Sequence, residues 1–175
     1  MIKKLILIII LMLNYSVAYA NTNIDEAIDA LKSINEFKAL TILNGQNYTK
    51  STIPVNVVEE YNLPYELSKA LAFTNVDGDK LSIYVNSKVM NSSPEAVACL
   101  IAHETIHINP GVDSIAEEIQ AWTYEAIIWK KFITKNPNLI NNPDELTRRL
   151  NKMVNASSDE LKNMITSKEL YSGLK

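Results

Sequence analysis

The two histidines of the chain lie four residues apart in the stretch IAHETIH, with a glutamate directly after the first. On an α-helix, residues i and i+4 lie on the same face, so His103 and His107 can direct both imidazoles at one point. Two neutral imidazoles suit Zn²⁺. The spacing therefore predicts a helix that carries a metal site, with further ligands supplied by another element.

Glu104 is the predicted general base of this site. A zinc ion lowers the pKa of the water it binds to near 7 and polarises a carbonyl group under attack. Because Glu104 stands next to the first histidine, it can take a proton from that water without itself binding the metal. HETIH thus predicts hydrolysis by a zinc-activated water.

The third ligand has to be an acid. A catalytic zinc usually has three protein ligands, but the chain has no third histidine, and its one cysteine, Cys99, is expected to be a small buried thiol. The next helix along the chain can return beside HETIH and offers four acids: Asp113, Glu117, Glu118 and Glu125.

Helical angle separates these acids. At 100° per residue, Ile115, Ile119, Trp122, Ala126 and Trp129 form an apolar stripe. Glu118 lies roughly 60° from this stripe and Glu117 about 160° from it. We therefore expect Glu118 to be the third ligand and Glu117, its main rival, to be solvated. Glu125 lies near Glu118 in angle but two turns further along, where it suits a supporting acid.

Residues 1–20 have the pattern of a secretory signal peptide. Lys3 and Lys4 precede an unbroken apolar run from Leu5 to Leu13, and Ala18-Tyr19-Ala20 is a small-x-small cleavage site. The apolar run is too short to span a bilayer. We expect an exported protein, periplasmic or extracellular, with no stable membrane insertion after the signal is removed.

Residues 21–175 have the size of a single domain with its own core. The net charge is −3, and −5 once Lys3 and Lys4 are removed. With no basic run, nucleic acid is not an expected partner. One cysteine excludes an intrachain disulfide, so the fold depends on its core or on a metal. No pattern specifies an oligomeric state.

Hydrophobic periodicity predicts the first half of the fold. An i, i+3, i+4 apolar pattern predicts one helix over Ile24–Asn44, ended by Gly45-Gln46-Asn47. Short β-prone runs predict strands over 54–58, 70–75 and 81–86. Asp77-Gly78 is strong turn chemistry and predicts an antiparallel hairpin of the last two strands.

The second half is predicted to be helical. Hydroxyl residues followed by Pro94 are typical of a helix start, so the HETIH helix is expected from Pro94 to about Ile108, ended by Asn109-Pro110-Gly111. Further helices are expected from Asp113 or Ser114 to Thr134, over 143–154 and from about 157. The predicted class is α+β, a small antiparallel sheet with helices on one side and a helical C-terminal tail.

HETIH followed by EEIQAW resembles the gluzincin metallopeptidases, in which a helix after HExxH supplies a glutamate ligand. Glu118-Ile119-Gln120-Ala121 is similar to the third-ligand motif of several such families. The resemblance implies a minimal zincin-like fold in which His103, His107 and Glu118 hold one Zn²⁺ and Glu104 is the general base. It also implies that Leu81 to Asn86 is an edge strand that binds an extended peptide by strand addition.

The sequence departs from these families in two places. The spacer between His107 and Glu118 is shorter than in thermolysin-like enzymes. Trp122 stands where some of these families carry aspartate. No individual gluzincin family is therefore assigned.

The predicted function is that of an exported zinc-dependent metallopeptidase acting on a peptide or protein substrate. The alternative is a non-catalytic zincin-like binding module of the cell envelope, with a structural metal or none, because the domain is small and has no obvious pro-segment. A third reading is an envelope protein in which HETIH is accidental. Specificity lies in pocket walls that no sequence motif marks.

Overall fold

The computed structural model describes residues 23–78, 80–108 and 114–168. Its strands are β1 (Val55–Val58), β2 (Ala72–Asp77) and β3 (Lys80–Asn86). Its helices are α1 (23–33), α2 (Phe37–Leu43), α3 (Tyr65–Ser68), α4 (Pro94–Glu104), α5 (Ile115–Lys135), α6 (Glu145–Met153) and α7 (Ser158–Thr166). The α+β class is confirmed. The predicted signal peptide, Asn109-Pro110-Gly111 and Asp113 lie outside the described residues.

The three strands form a mixed sheet in the order β1-β3-β2. The predicted β2–β3 hairpin is confirmed, with Asp77 opposite Lys80 and Gly78 at a φ of +57°. The prediction of a purely antiparallel sheet was wrong, because β1 pairs with β3 in parallel.

The central position of β3 follows from its side chains. Leu81, Ile83 and Val85 are at most 4% exposed, so this strand is covered on its inner face and paired on both edges. Strands β1 and β2, which are joined through α3, do not pair with each other, and β3 lies between them. The family resemblance implied that Leu81 to Asn86 is an edge strand. This was wrong, because β3 is the central strand. The edge strands are β1 and β2.

The helix predicted over Ile24–Asn44 is two helices, because Asn35 has a φ of +53° and reverses the chain. The backbone N–H of Glu36 bonds to the carbonyl of Leu31, and that of Asn35 to Lys32. This pair of bonds is a Schellman ending, and asparagine adopts its left-handed position at low cost. The apolar period continues across the break, so periodicity alone did not show it.

Helix α4 ends one turn earlier than predicted. The Thr105 hydroxyl donates to the carbonyl of Ala102 at 2.6 Å, and the chain continues as a 3₁₀ turn over Ile106–Ile108. A hydroxyl bonded back to the preceding turn competes with the regular helical pattern. His107 therefore lies on a 3₁₀ turn, while His103 lies on the α-helix.

Helix α4 is the centre of the core. Every residue from Ala96 to Glu104 is buried, and the helix contacts β2, β3, α5 and α6. A helix buried all round leaves its polar residues dependent on partners from the surrounding elements. In the part of the chain that the structure describes, no helix is both long and apolar enough to cross a membrane.

Helix α5 matches the prediction closely, running from an N-cap at Ser114. Tyr124 and Lys131 on this helix hold the carboxylate of Glu36, which follows α1. Burial on its own would raise the pKa of Glu36, but the hydrogen bonds from Lys131 and Tyr124 lower it overall. This ion pair therefore ties the N-terminal helices to α5.

We predict that Glu36→Gln lowers the free energy of unfolding by about 1–2 kcal/mol at pH 7, because a charge-assisted bond is lost. A carboxyl whose pKa falls on folding stabilises the protein above its ordinary pKa and loses that contribution in acid. The difference from the parent should therefore shrink below about pH 4. Urea unfolding across pH, with the exposed Glu26→Gln as control, measures this. A constant difference down to pH 3 would contradict it.

Candidate metal centre

Three side chains from three elements converge on one point. The Nε2 atoms of His103 on α4 and His107 on the 3₁₀ turn lie 3.1 Å apart. Glu118 on α5 places Oε1 3.4 Å from His107 Nε2 and Oε2 3.8 Å from His103 Nε2. The structure thus brings together the three residues that the sequence proposed as ligands.

The donor atoms lie at spacings comparable with those around a zinc ion. Three ligands at about 2.0–2.1 Å in tetrahedral geometry lie roughly 3.3 Å from one another. The two Nε2 atoms are 3.1 Å apart, and the two oxygens of Glu118 lie 3.4 and 3.8 Å from one histidine each. Glu118 Oε2 is buried and has no hydrogen-bond partner among the described residues. A bound cation would satisfy this oxygen.

The other imidazole nitrogens contact carboxylates. His103 Nδ1 lies 3.0 Å from Glu125 Oε2, and His107 Nδ1 lies 3.0 Å from Glu117 Oε1. If each Nδ1–H donates to its carboxylate, the lone pair of each Nε2 is left for a metal. Two such lone pairs at 3.1 Å repel each other unless a cation lies between them.

The expectation that Glu117 is solvated was wrong. Its side chain is only 16% exposed, because the 3₁₀ turn lies against the first turn of α5 and brings His107 over it. The helical angle of Glu117 describes α5 alone, so it does not predict that the 3₁₀ turn buries this side chain. Glu117 thus orients a histidine, and Glu118 is the residue facing both Nε2 atoms.

Glu125 is fully buried between two partners. One carboxylate oxygen accepts from His103, and the other contacts the guanidinium of Arg149 on α6. Burial on its own would raise the pKa of Glu125, but the charge of Arg149 and then the bond to His103 lower it to about 2. Glu125 was expected to support the site without being a ligand, and in the structure it contacts His103 Nδ1, not the point between the two Nε2 atoms.

The charge around His103 favours a cation. Burial on its own would lower the pKa of His103, but the hydrogen bond and charge of Glu125, with the charges of Glu104 and Glu118, raise it. Carboxylates that stabilise a protonated imidazole also stabilise a metal ion in its place.

Glu104 is buried beside the ligands and held by the edge strand. The Thr74 hydroxyl on β2 lies 3.0 Å from Glu104 Oε2 and 3.0 Å from its backbone carbonyl. Burial raises the pKa of Glu104, and the histidines and Thr74 offset this in part. A carboxylate with a raised pKa is a better proton acceptor.

A cleft of about 320 Å³ opens beside His103 and Glu104. Its remaining lining comes from the start of β2, from α4 and from the C-terminal helices: Lys69, Ala70, Leu71, Ala72, Leu100, Glu145, Arg149 and Lys168. The predicted base thus lies at the wall of an open cleft.

Two tyrosines, Trp122 and Cys99 have contacts of their own or are buried in the core. Tyr124 donates to Glu36, and Tyr84 stacks on Phe73 with ring centroids 5.3 Å apart. Trp122 is fully buried in the core, and burial raises the pKa of the Cys99 thiol well above its ordinary value. None of these is a candidate for catalysis.

Sequence reasoning missed Thr74, Arg149 and Lys168. A usable signal existed for Arg149 alone. It lies in the apolar stripe of α6, whose other members are Leu146, Leu150 and Met153. An arginine at a core-facing position predicts a buried acid as its partner, and Glu125 is the buried acid of α5.

Comparison with known proteins gives no relative. No protein-family profile matches the chain, and neither a curated protein nor a solved structure is significantly similar to it. The gluzincin resemblance therefore stays a prediction that rests on the motif and the geometry.

We predict that the purified protein binds about one zinc and that Glu118→Ala abolishes tight binding, because a ligand is removed. Glu117→Ala should keep the stoichiometry and weaken affinity about 10–100-fold, since an orienting carboxylate is lost. Elemental analysis and competition with a chromophoric chelator measure both. The reverse order of effects would make Glu117 the ligand.

We predict that Arg149→Met destabilises the protein by about 3 kcal/mol at pH 7, because Glu125 is left buried without its cation. Adding Glu125→Gln should recover part of this loss, since the unpaired charge is then gone. Urea unfolding measures each variant, and Arg148→Met, an exposed arginine on the same helix, is the control. Additive losses in the double variant would show that the two residues are not coupled.

Proposed function

We propose that this protein is an exported, zinc-dependent metallopeptidase with a zincin-like arrangement of its active site. The observation that carries the proposal is the convergence of His103 Nε2, His107 Nε2 and the Glu118 carboxylate beside Glu104. Three ligands leave one coordination position of a tetrahedral zinc, as catalytic sites do. The open cleft next to Glu104 supports hydrolysis over a purely structural metal.

A zinc ion held by His103, His107 and Glu118 would polarise the scissile carbonyl and make water nucleophilic near neutral pH. Glu117 and Glu125 hold the two imidazoles with Nε2 towards that ion. The ligands come from α4, the 3₁₀ turn and α5, so their spacing is fixed by the core.

Glu104 takes the proton of the attacking water and passes it to the amine of the leaving peptide. The Thr74 hydroxyl fixes the carboxylate, so the base does not need to be oriented at the moment of reaction. Burial keeps the carboxylate away from bulk water and raises its pKa, which strengthens it as a proton acceptor.

Strand β2 is the proposed binding edge for an extended substrate. Thr74 on this strand contacts the base, and Ala70 to Ala72 at its start line the cleft. Among the described residues, β2 pairs with β3 alone, so its outer edge can accept a peptide by strand addition. A peptide on this edge runs past Glu104.

Glu104→Gln tests the proposal. The zinc-loaded variant should retain one zinc and lose about 10²–10⁴-fold in kcat on a cleaved peptide, because the general base is gone. Cleavage of a peptide mixture is followed by mass spectrometry, and Glu95→Gln at the other end of α4 is the control.

Two results would overturn the proposal. Full activity in a zinc-loaded Glu104→Gln would exclude the mechanism. Bound zinc with no hydrolysis in a broad peptide screen would favour the non-catalytic binding module instead.

A further inference from the structure

The cleft beside Glu104 has a basic wall that peptide-bond hydrolysis does not require. Lys69, Arg149 and Lys168 line it, while Glu104 and Glu145 are the acids of the same lining. Glu145 is exposed, so water screens its charge. Glu104 therefore shares the cleft with a basic wall, formed by Arg149 and Lys168 at the C-terminal helices.

Lys168 is a half-buried cation that lies over an aromatic ring. Its Nζ lies over the Trp122 ring, 4.6 Å from the centroid, and no salt bridge joins it to a carboxylate in the described ranges. Burial, and then the charge of Arg149, lower the pKa of Lys168 to about 8, although the charges of Glu125, Glu118 and Glu145 offset this in part. Desolvation and repulsion therefore both oppose the charge that this lysine carries at neutral pH.

Arg149 shares the same indole. Its guanidinium carbon lies 5.2 Å from the Trp122 centroid. Its Nη2 contacts Glu125, while its Nε is buried and has no hydrogen-bond partner among the described residues. Two cations thus contact one aromatic ring and line one cleft, and an entering anion would relieve their repulsion.

We propose that Lys168 and Arg149 form a subsite for a carboxylate of the substrate, so that the protein selects acidic peptides. The subsite opens on the cleft that His103 and Glu104 also line, which puts the recognised carboxylate close to the bond that is cut. This inference deepens the proposed function and rests on it for the cleavage step alone. Binding of the carboxylate needs only the cleft.

Two parts of a peptide carry this chemistry, an acidic side chain and the C-terminal α-carboxylate. Three fluorescent peptides of one sequence separate them. The first has a single glutamate and an amidated C-terminus, the second has glutamine there and a free C-terminus, and the third has glutamine and an amidated C-terminus.

Binding is measured first on zinc-loaded Glu104→Gln, by fluorescence anisotropy, so that turnover does not interfere. At least one of the carboxylate peptides should bind about ten- to a hundredfold more tightly than the neutral peptide, because a charge-assisted contact is gained. The tighter of the two identifies the source of the carboxylate. Cleavage by the parent protein should show the same order in kcat/KM.

Lys168→Met, made in the same background, is the decisive variant. It should reduce the preference for the carboxylate peptide to less than about threefold, and Lys168→Arg should restore it. Lys162→Met on α7 is the matched control, since Lys162 is exposed and does not line the cleft. Arg149 is left unchanged because its pairing with Glu125 also stabilises the fold.

The outcomes separate this inference from the proposed function. Cleavage of all three peptides at equal rates would overturn the carboxylate subsite and leave the metallopeptidase standing. Binding that depends on Lys168 with no cleavage by the parent would support the subsite and overturn the peptidase. A carboxylate preference that survives Lys168→Met would overturn the subsite as drawn here.

Discussion

The buried carboxylate of Glu125 is the interaction on which both the core and the candidate site depend. A fully buried charge is tolerated only when its oxygens are paired, and here one oxygen accepts from His103 and the other contacts Arg149. These residues lie on α4, α5 and α6, so the three helices are positioned together. The packing that satisfies Glu125 is the same packing that turns His103 Nε2 towards His107 and Glu118. The same contacts of Glu125 therefore stabilise the core and set the geometry of the proposed metal site.

Local chemistry in the sequence predicted most of the secondary structure. Ser93, Ser114 and Ser157 each accept a backbone N–H at the start of a helix, and Gly78 lies in the hairpin turn, as residue preferences predict. What could not be predicted depends on contacts between distant segments or on a single backbone angle. The parallel pairing of β1 with β3 is set by which strand fills the centre of the sheet. The reversal at Asn35 leaves the apolar period intact.

The candidate site divides in the same way. His103, Glu104 and His107 follow from spacing along four residues, and the helical angle placed Glu118 on the side of α5 where the structure has it beside the histidines. The surroundings of these residues come from chain reversal and from the C-terminal helices. Glu117 is covered by the 3₁₀ turn, and Thr74 reaches Glu104 across thirty positions of sequence. Arg149 was readable in principle, because a charged residue in the apolar stripe of α6 requires a buried partner.

The charged residues of the site form two groups, one around the histidines and one in the wall of the cleft. Glu117, Glu118 and Glu125 surround the histidines and favour a cation, whereas Lys168 and Arg149 lie where the cleft is closed by the C-terminal helices. Arg149 belongs to both groups, since it pairs with Glu125 and is part of the proposed carboxylate subsite. Under the proposed function, a substrate held at its carboxylate by this basic wall would present a nearby carbonyl to Glu104 and the candidate metal ligands. Attachment at these two points would fix the direction in which a peptide lies in the cleft.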